Sequence, residues 1–396
     1  MTTSYAESTA PHPAASQKSN LRVAWLFPSL ARGSYWHPLF SQFSQQYSRT
    51  IIYTGEWTGF AAGFEDRFKI EVVGKTRIFH TTKTNSGYSR SYILPSFEIV
   101  PKLLAFRPEV IFTSAFSLWT LVALLFKLFL GSRVVVLFDG VSPGVDYLNS
   151  GIRVFPRRLM SKLIDAFIAN SKAGKKYLIE TVWASHSKVF VQPYLVPDLS
   201  ALNAHRSKAE RPSQQALAQP IFLFVGQIVS RKGIEFLLTA CAQLKQKHGE
   251  NFTLLIIGEG NDRPALEKLA QQQALENCVQ WLGEVKYNQL GAYFEQSDVF
   301  VFPTLEDIWG MVVSEAMAFG KPVLCSKWAG ATEIVANNDS GYIFDPYDVE
   351  QLAALMSRFI EQPELIDQMG NRAKELSANL TPQKAATFFC QLTATL

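Results

Sequence analysis

At 396 residues the chain is too long for one ordinary core, and 47% apolar with 18% charged residues excludes a disordered or fibrous polymer. Net charge is +4, unevenly placed: residues 21–200 hold 21 Lys plus Arg against 11 Asp plus Glu (+10), and 201–396 hold 16 against 22 (−6). The front half is therefore expected to meet something anionic, and without a finger, basic-zipper or helix-turn-helix pattern that partner is not expected to be nucleic acid.

Residues 1–20 contain no apolar h-region and read as a disordered tail rather than a secretory signal. From residue 21 short β-branched or aromatic runs alternate with helical ones. "LRVAWLF" (21–27), "TIIYTG" (50–55), "PEVIFTS" (108–114), "SRVVVLFD" (132–139), "DAFIANS" (165–171) and "KVFVQPY" (188–194) predict buried parallel strands. "WHPLFSQFSQQY" (36–47) and "FEIVPKLLAF" (97–106) predict helices between them. The run "AFSLWTLVALLFKLFLG" (115–131) is short for a membrane span and carries Lys127, so it is read as a crossover helix.

Polar, weakly patterned residues 199–219 predict a linker. The βα rhythm then restarts with "PIFLFVG" (220–226), "NFTLLIIG" (251–258), "VQWLG" (279–283), "DVFVFPT" (298–304), "KPVLCS" (321–326) and "GYIFD" (341–345). The expected organisation is a tail (1–20), a Rossmann-like front domain (21–198), the linker, a second Rossmann-like domain (220–378) and a closing helix (380–396). Thr381 and Pro382 start that helix, and Ala386, Phe389, Cys390 and Leu396 form the stripe that returns to the front domain. Cys241, Cys278, Cys325 and Cys390 include no C-x-x-C pair and are expected to be buried, reduced thiols.

In such sheets ligands lie beyond the carboxyl ends of the strands. "FVGQIVSRKG" (224–233) ends a strand at Gly226 and starts a helix near Gly233, with Arg231 and Lys232 beside the helix amides as an anion site. The order Lys-Gly without Ser or Thr is not a Walker loop, and a plain Rossmann turn with a solvated Arg-Lys pair is the bland alternative. In "FPTLEDIWGMVVSEAMAFG" (302–320), Asp307 lies in a loop and Glu315 eight residues on in an apolar helix. A buried Glu needs strong hydrogen-bond donors, and sugar hydroxyls are suitable; pairing within the core is the alternative.

The segment "FPTLEDIWGMVVSEAMAFGKPVLCSKWAGATEIV", with "FVGQIVSRKG", "LLIIGEGNDRPALEKLA", "VQWLGEV" and "GYIFDPYD", resembles the family 4 glycosyltransferases over 220–376. The resemblance implies an α/β GT-B fold: two Rossmann-like, doubly wound domains facing a cleft. It implies a retaining glycosyltransferase that moves a sugar from a nucleotide diphosphate sugar to an acceptor hydroxyl, on a glycan or lipid-linked acceptor. By the same resemblance Glu315 would bind the ribose, and Asp307 the donor sugar with backbone amides at Trp309, Gly310 and Met311. Lys232 would neutralise the diphosphate. The family usually has Arg where Gln227 stands, which removes one cation, and Arg231 is the candidate to replace it. Its His after the fourth front strand is matched by Asp139, and its paired glycines by Gly33 alone; both are candidate acceptor or sugar contacts.

No Asp-x-Asp occurs in the chain, so no metal and no cofactor beyond the nucleotide sugar is expected. The helix in 151–168 carries Leu159, Met160, Leu163, Ile164 and Phe167 flanked by Arg157, Arg158 and Lys162. It reads as core-packed or as a basic amphipathic face for an anionic membrane, placing the enzyme in the cytoplasm or at its membrane. A nucleotide-sugar epimerase and a degenerate, binding-only relative are the competing functions.

Overall fold

The computed structural model describes residues 20–396 except 32, 62, 75–76, 81–90, 143–149 and 205–216. The expected tail, but for Asn20, and much of the linker lie outside the described residues.

All five residues of β1 (Val23–Phe27) are buried. Val23, Trp25 and Phe27 join the core on one side of the sheet, Ala24 and Leu26 the core on the other. A parallel strand covered by helices on both faces requires that composition. β2 (Thr50–Thr54) and β3 (Lys69–Val72) extend the sheet on one side of β1. β4 (Arg77–His80) and β5 (Ser91–Leu94) form a separate antiparallel pair. β6 (Val110–Ser114), β7 (Arg133–Phe138), β8 (Ala166–Ala169) and β9 (Val189–Val191) complete a seven-stranded parallel sheet in the order β3-β2-β1-β6-β7-β8-β9. β3 was not expected: its sequence Lys-Ile-Glu-Val is half charged, as suits an exposed edge.

The second half repeats the plan. β10 (Ile221–Val225), β11 (Thr253–Ile257), β12 (Val279–Gly283), β13 (Val299–Phe302), β14 (Val323–Ser326) and β15 (Gly341–Phe344) form a six-stranded parallel sheet. Its order, β12-β11-β10-β13-β14-β15, reverses between β10 and β13, where a doubly wound sheet opens a crevice. Of the expected linker, Leu199–Asn203 is a short helix capped by the Asp198 carboxylate.

The run around 118–130 is a single helix, Leu118–Leu130, started by a Ser117–Thr120 capping box and stopped by Gly131 at φ 74°. None of the described helices is long and apolar enough to cross a membrane.

His37, at the start of helix His37–Gln46, is buried. Trp57, Phe60, Phe64 and Phe68 ring its imidazole, and Nδ1 accepts from the Ala61 amide at 3.1 Å. That burial lowers its pKa to about 4. Cys390 is only half-buried, unlike Cys241, Cys278 and Cys325; all four are free thiols.

The closing helix, Pro382–Thr395, starts where the Thr381 hydroxyl accepts from the Lys384 amide. It packs along the front helix His37–Gln46. Phe389 stacks on Trp25 and Phe112 at 5.6 and 5.7 Å, and the Tyr47 hydroxyl donates to the Cys390 carbonyl at 3.0 Å. The last helix of the chain thus supplies core to the first sheet. Phe389→Ala is expected to destabilise the protein by about 3–5 kcal/mol in urea denaturation. Truncation after Asn379 should lower the melting temperature more, and unchanged melting of both would reject the docking.

Candidate functional site

The loops after β10 and β13 lie against each other at the crevice. Gly226 follows the end of β10, and a short turn, Ser230–Lys232, leads to Gly233 at φ 66°. A Cβ on Gly233 would sit 2.1 Å from the Pro303 carbonyl, so only glycine permits this approach. The Leu305 amide and the Thr304 hydroxyl both bond to the Arg231 carbonyl, at 2.8 and 3.1 Å. Helix Ile234–His248 begins near Gly233, as expected, with Gly233 as its cap.

This approach brings the predicted charges together. The Lys232 ammonium donates to Asp307 Oδ2 at 2.5 Å, and Arg231 reaches the same oxygen at 3.4 Å. The Trp309 amide donates to Asp307 Oδ1 at 3.2 Å. Lys232 also lies over the Phe302 ring, 4.8 Å from its centroid. Burial lowers the Lys232 pKa, and the Asp307 carboxylate opposes that shift. Arg231 is thus an ion-pair partner of Asp307, alongside Lys232. Gln227 points to solvent.

Gly310, at φ 92°, turns the chain into helix Met311–Ala318, and a Cβ there would meet the Phe302 ring at 2.7 Å. Glu315 is inside this helix and 1% exposed. Burial raises its pKa to about 7, and the neighbouring Tyr287 hydroxyl acts against that rise. Oε1 of Glu315 and the Tyr287 hydroxyl have no hydrogen-bond partner of good geometry among the described residues. A buried carboxyl in this condition favours its neutral form, and its Oε1 lacks a donor.

The front domain meets the same loop. Gly140 follows β7, and a Cβ there would lie 2.9 Å from the Ile308 carbonyl. Asp139, beside it, accepts from the Tyr194 hydroxyl at 2.7 Å, and burial raises its pKa. Trp36 stacks on Tyr194 at 5.3 Å, and its amide donates to the Gly33 carbonyl at 2.9 Å. Gly33 therefore closes a buried turn that supports the Asp139 side of the cleft. Trp309 donates from its indole to the Leu195 carbonyl at 2.9 Å, a second contact between the halves.

Glu333, in "GATEIV", has no spacing signal that assigns it a role. Its carboxylate accepts from the Lys172 and Ala173 amides, both at 2.7 Å, at the start of the front helix Lys172–Glu180. Anion binding at a helix N-terminus here joins the two halves. Tyr287 and Tyr194 also went unassigned; a tyrosine in a loop carries no spacing signal.

The helix Gly151–Leu163 corrects another expectation. The helix stops at Leu163, and Phe167 belongs to β8; within the helix Met160 is core while Leu159 and Leu163 face outward, so the five residues form no single stripe. Arg157 donates to the Tyr177 hydroxyl and Arg158 to the Thr181 carbonyl, turning both cations toward the protein.

Comparisons with known proteins bear on the family and the fold. Residues 206–376 match the family model described as Glycosyl transferases group 1. The chain is 34% identical over 212 residues to the amylovoran biosynthesis glycosyltransferase AmsK of Erwinia amylovora, covering 47% of this chain and 52% of that protein. It is 28% identical over 160 residues to the alpha-D-kanosaminyltransferase of Streptomyces kanamyceticus, 40% of this chain and 41% of that one. The chain spans about half the length of the curated relatives it matches. Anabaena Alr3699/HepE, solved in complex with UDP, superposes with a TM-score of 0.71 at 16% identity, covering 95% of this chain and 100% of that one. Two parallel sheets in this arrangement are the GT-B fold.

The pH dependence of stability isolates Glu315. Its folded pKa, about 7, exceeds the ordinary 4.5, so the native state binds its proton more tightly and loses stability as pH rises from about 4.5 to 7. Glu315→Gln removes that loss: its gain in melting temperature over wild type should be larger at pH 8 than at pH 5. An equal difference at both pH values would show that Glu315 is not a buried, poorly partnered carboxyl. On these observations, residues 206–376 belong to the glycosyl transferases group 1 family.

Proposed function

We propose that the protein is a retaining, family 4-type glycosyltransferase that takes its sugar from a nucleotide diphosphate sugar. The observation that carries this reading is Glu315: a buried carboxyl whose Oε1 lacks a donor, eight residues beyond an Asp307 gripped by two cations. Ribose hydroxyls supply the missing donors. UDP in the structurally similar Anabaena protein supports a nucleotide diphosphate as the ligand class.

In this reading Lys232 and Arg231 exchange Asp307 for the diphosphate. Asp307, released toward the cleft, accepts hydrogen bonds from the donor sugar, whose phosphate side faces the amides of Trp309, Gly310 and Met311. The C1–O bond to the diphosphate breaks, and cations at the leaving oxygen stabilise the charge that develops there. The acceptor hydroxyl attacks from the same face and gives its proton to the departing phosphate oxygen. Asp139 and the turn at Gly33 border the acceptor side. The acceptor is a glycan or a lipid-linked sugar, in keeping with the amylovoran biosynthesis relative. The enzyme works in the cytoplasm or at the inner face of its membrane, to which the front-half charge of +10 is suited.

Calorimetric titration with a nucleotide sugar, whose diphosphate stays fully ionised near neutrality, tests the donor site. Affinity should rise through pH 7 as Glu315 ionises, and Glu315→Gln should weaken binding roughly tenfold or more, the scale of a charged hydrogen bond. Wild-type affinity in the variant would reject the ribose role. Lys232 in place of a divalent ion predicts transfer that survives excess chelator; strict dependence on added magnesium or manganese would reject that diphosphate site. Gln227→Arg should leave activity equal or higher.

A further inference from the structure

A short turn, Tyr287–Gln289, follows β12 and leads into the helix Leu290–Gln296. The Tyr287 hydroxyl is sealed from solvent, as is Oε1 of Glu315, and neither has a partner of good geometry among the described residues. The two groups are nonetheless neighbours, and each acts on the ionisation of the other. A phenol O–H donates and a carboxylate accepts, so a complementary pair stands side by side unjoined. Leaving both unsatisfied in a dry interior is costly, and a change of charge on one of them removes the cost.

The segment that joins the domains holds Tyr287 in this place. Asp198, whose backbone acts on the Tyr287 hydroxyl, starts the helix Leu199–Asn203 by accepting from the Ser200 and Ala201 amides at 3.1 and 3.2 Å. That helix packs on the turn Tyr287–Gln289 and on the helix after it. A Cβ on Gly291 would lie 2.6 Å from Asn203 Oδ1 and 2.8 Å from the Leu202 carbonyl, so a glycine permits the approach. Leu202 is buried in the core of the second domain.

Other charges near Glu315 are occupied or turned outward. Lys232 and Asp307 are paired with each other, and Glu333, in the turn Gly330–Ile334, bonds to front-domain amides. Along the packed helix Glu364–Ser377, Glu364, Asp367, Lys374 and Glu375 are exposed and Arg372 is held by Asp339. Lys286 and Glu295, on either side of Tyr287, are exposed, and burial keeps Cys325 of β14 a neutral thiol. Tyr287 is the titratable group that meets Glu315 among the described residues.

We propose that Tyr287 is a positioning residue of the donor site, its hydroxyl donating to the Glu315 carboxylate when that group ionises to hold the ribose. The ligand in this inference rests on the ribose role of Glu315; the contact between the two side chains stands without it. A neutral carboxyl draws a hydroxyl weakly, and an ionised one forms the shorter, stronger bond. Tyr287 therefore favours the ionised form against the burial that opposes it. The tyrosine keeps its own proton, since burial raises its pKa.

The test compares wild type, Tyr287→Phe, Glu315→Gln and the double variant by melting temperature between about pH 5 and pH 9, without ligand. Wild type loses stability as pH rises through the folded pKa of Glu315, about 7. Without the hydroxyl that pKa is higher still, so the loss in Tyr287→Phe should run to higher pH, its midpoint displaced by about one pH unit. On the Glu315→Gln background the same substitution should have no pH-dependent effect. Tyr342→Phe, which removes another buried, unpartnered hydroxyl of the same domain, should keep the wild-type midpoint. Calorimetric titration with UDP-glucose should show the rise in affinity displaced upward by the same interval in Tyr287→Phe. A wild-type midpoint in Tyr287→Phe, or a loss of stability or affinity that is equal at every pH, would overturn the proposal. If wild type has no affinity for UDP-glucose, the donor reading fails, while the melting midpoints still decide the contact between Tyr287 and Glu315.

Discussion

The carboxylate of Asp307 is the point on which the cleft is organised. Lys232 and Arg231 come from the loop after β10, the Trp309 amide from the turn that begins the next helix, and all three converge on its two oxygens. Its own amide and carbonyl are bonded to Trp328 and Gly330, beyond β14. One residue, through its side chain and its backbone, therefore fixes the relative positions of three loops from adjacent strand ends. Two cations this close together and this little exposed would repel without an anion between them. Any ligand that takes the cations must itself be strongly anionic, and it must leave Asp307 with other donors. A sugar diphosphate meets both demands in one molecule.

The rest of the architecture holds that convergence against the front domain. Gly140 lies against Ile308, Trp309 bonds to Leu195, and Glu333 bonds to the start of helix Lys172–Glu180. The closing helix ties the opposite end, with Phe389 completing the aromatic core around Trp25. Residues far apart in sequence thus set one hinge geometry, and the loops between them are free to serve binding.

Both sheets were legible because parallel strands buried on two faces need long apolar runs, and helices between them need a different period. β3 was not, since an edge strand needs no such run, and neither was the β4–β5 pair. Asp307, Lys232 and Glu315 were legible through their spacing and through a charged residue in an apolar helix. Their present partners were not: that Lys232 and Arg231 would meet Asp307 depends on how closely two loops approach, which Gly233 permits but does not announce. The burial of His37 likewise depends on Trp57, Phe60, Phe64 and Phe68, aromatic residues that carry no period.

The contact made by Glu333 has a further consequence for how the two halves move. A carboxylate seated on backbone amides at a helix start is a replaceable ligand, since water or a small anion makes the same bonds to those donors. Lys172 and Ala173 are exposed, so losing the carboxylate there strands no amide in a dry interior. Opening therefore exchanges one set of polar partners for another of similar strength, whereas the aromatic core at Phe389 stays intact. The molecule is latched on one side by chemistry that solvent can imitate and riveted on the other by chemistry that it cannot.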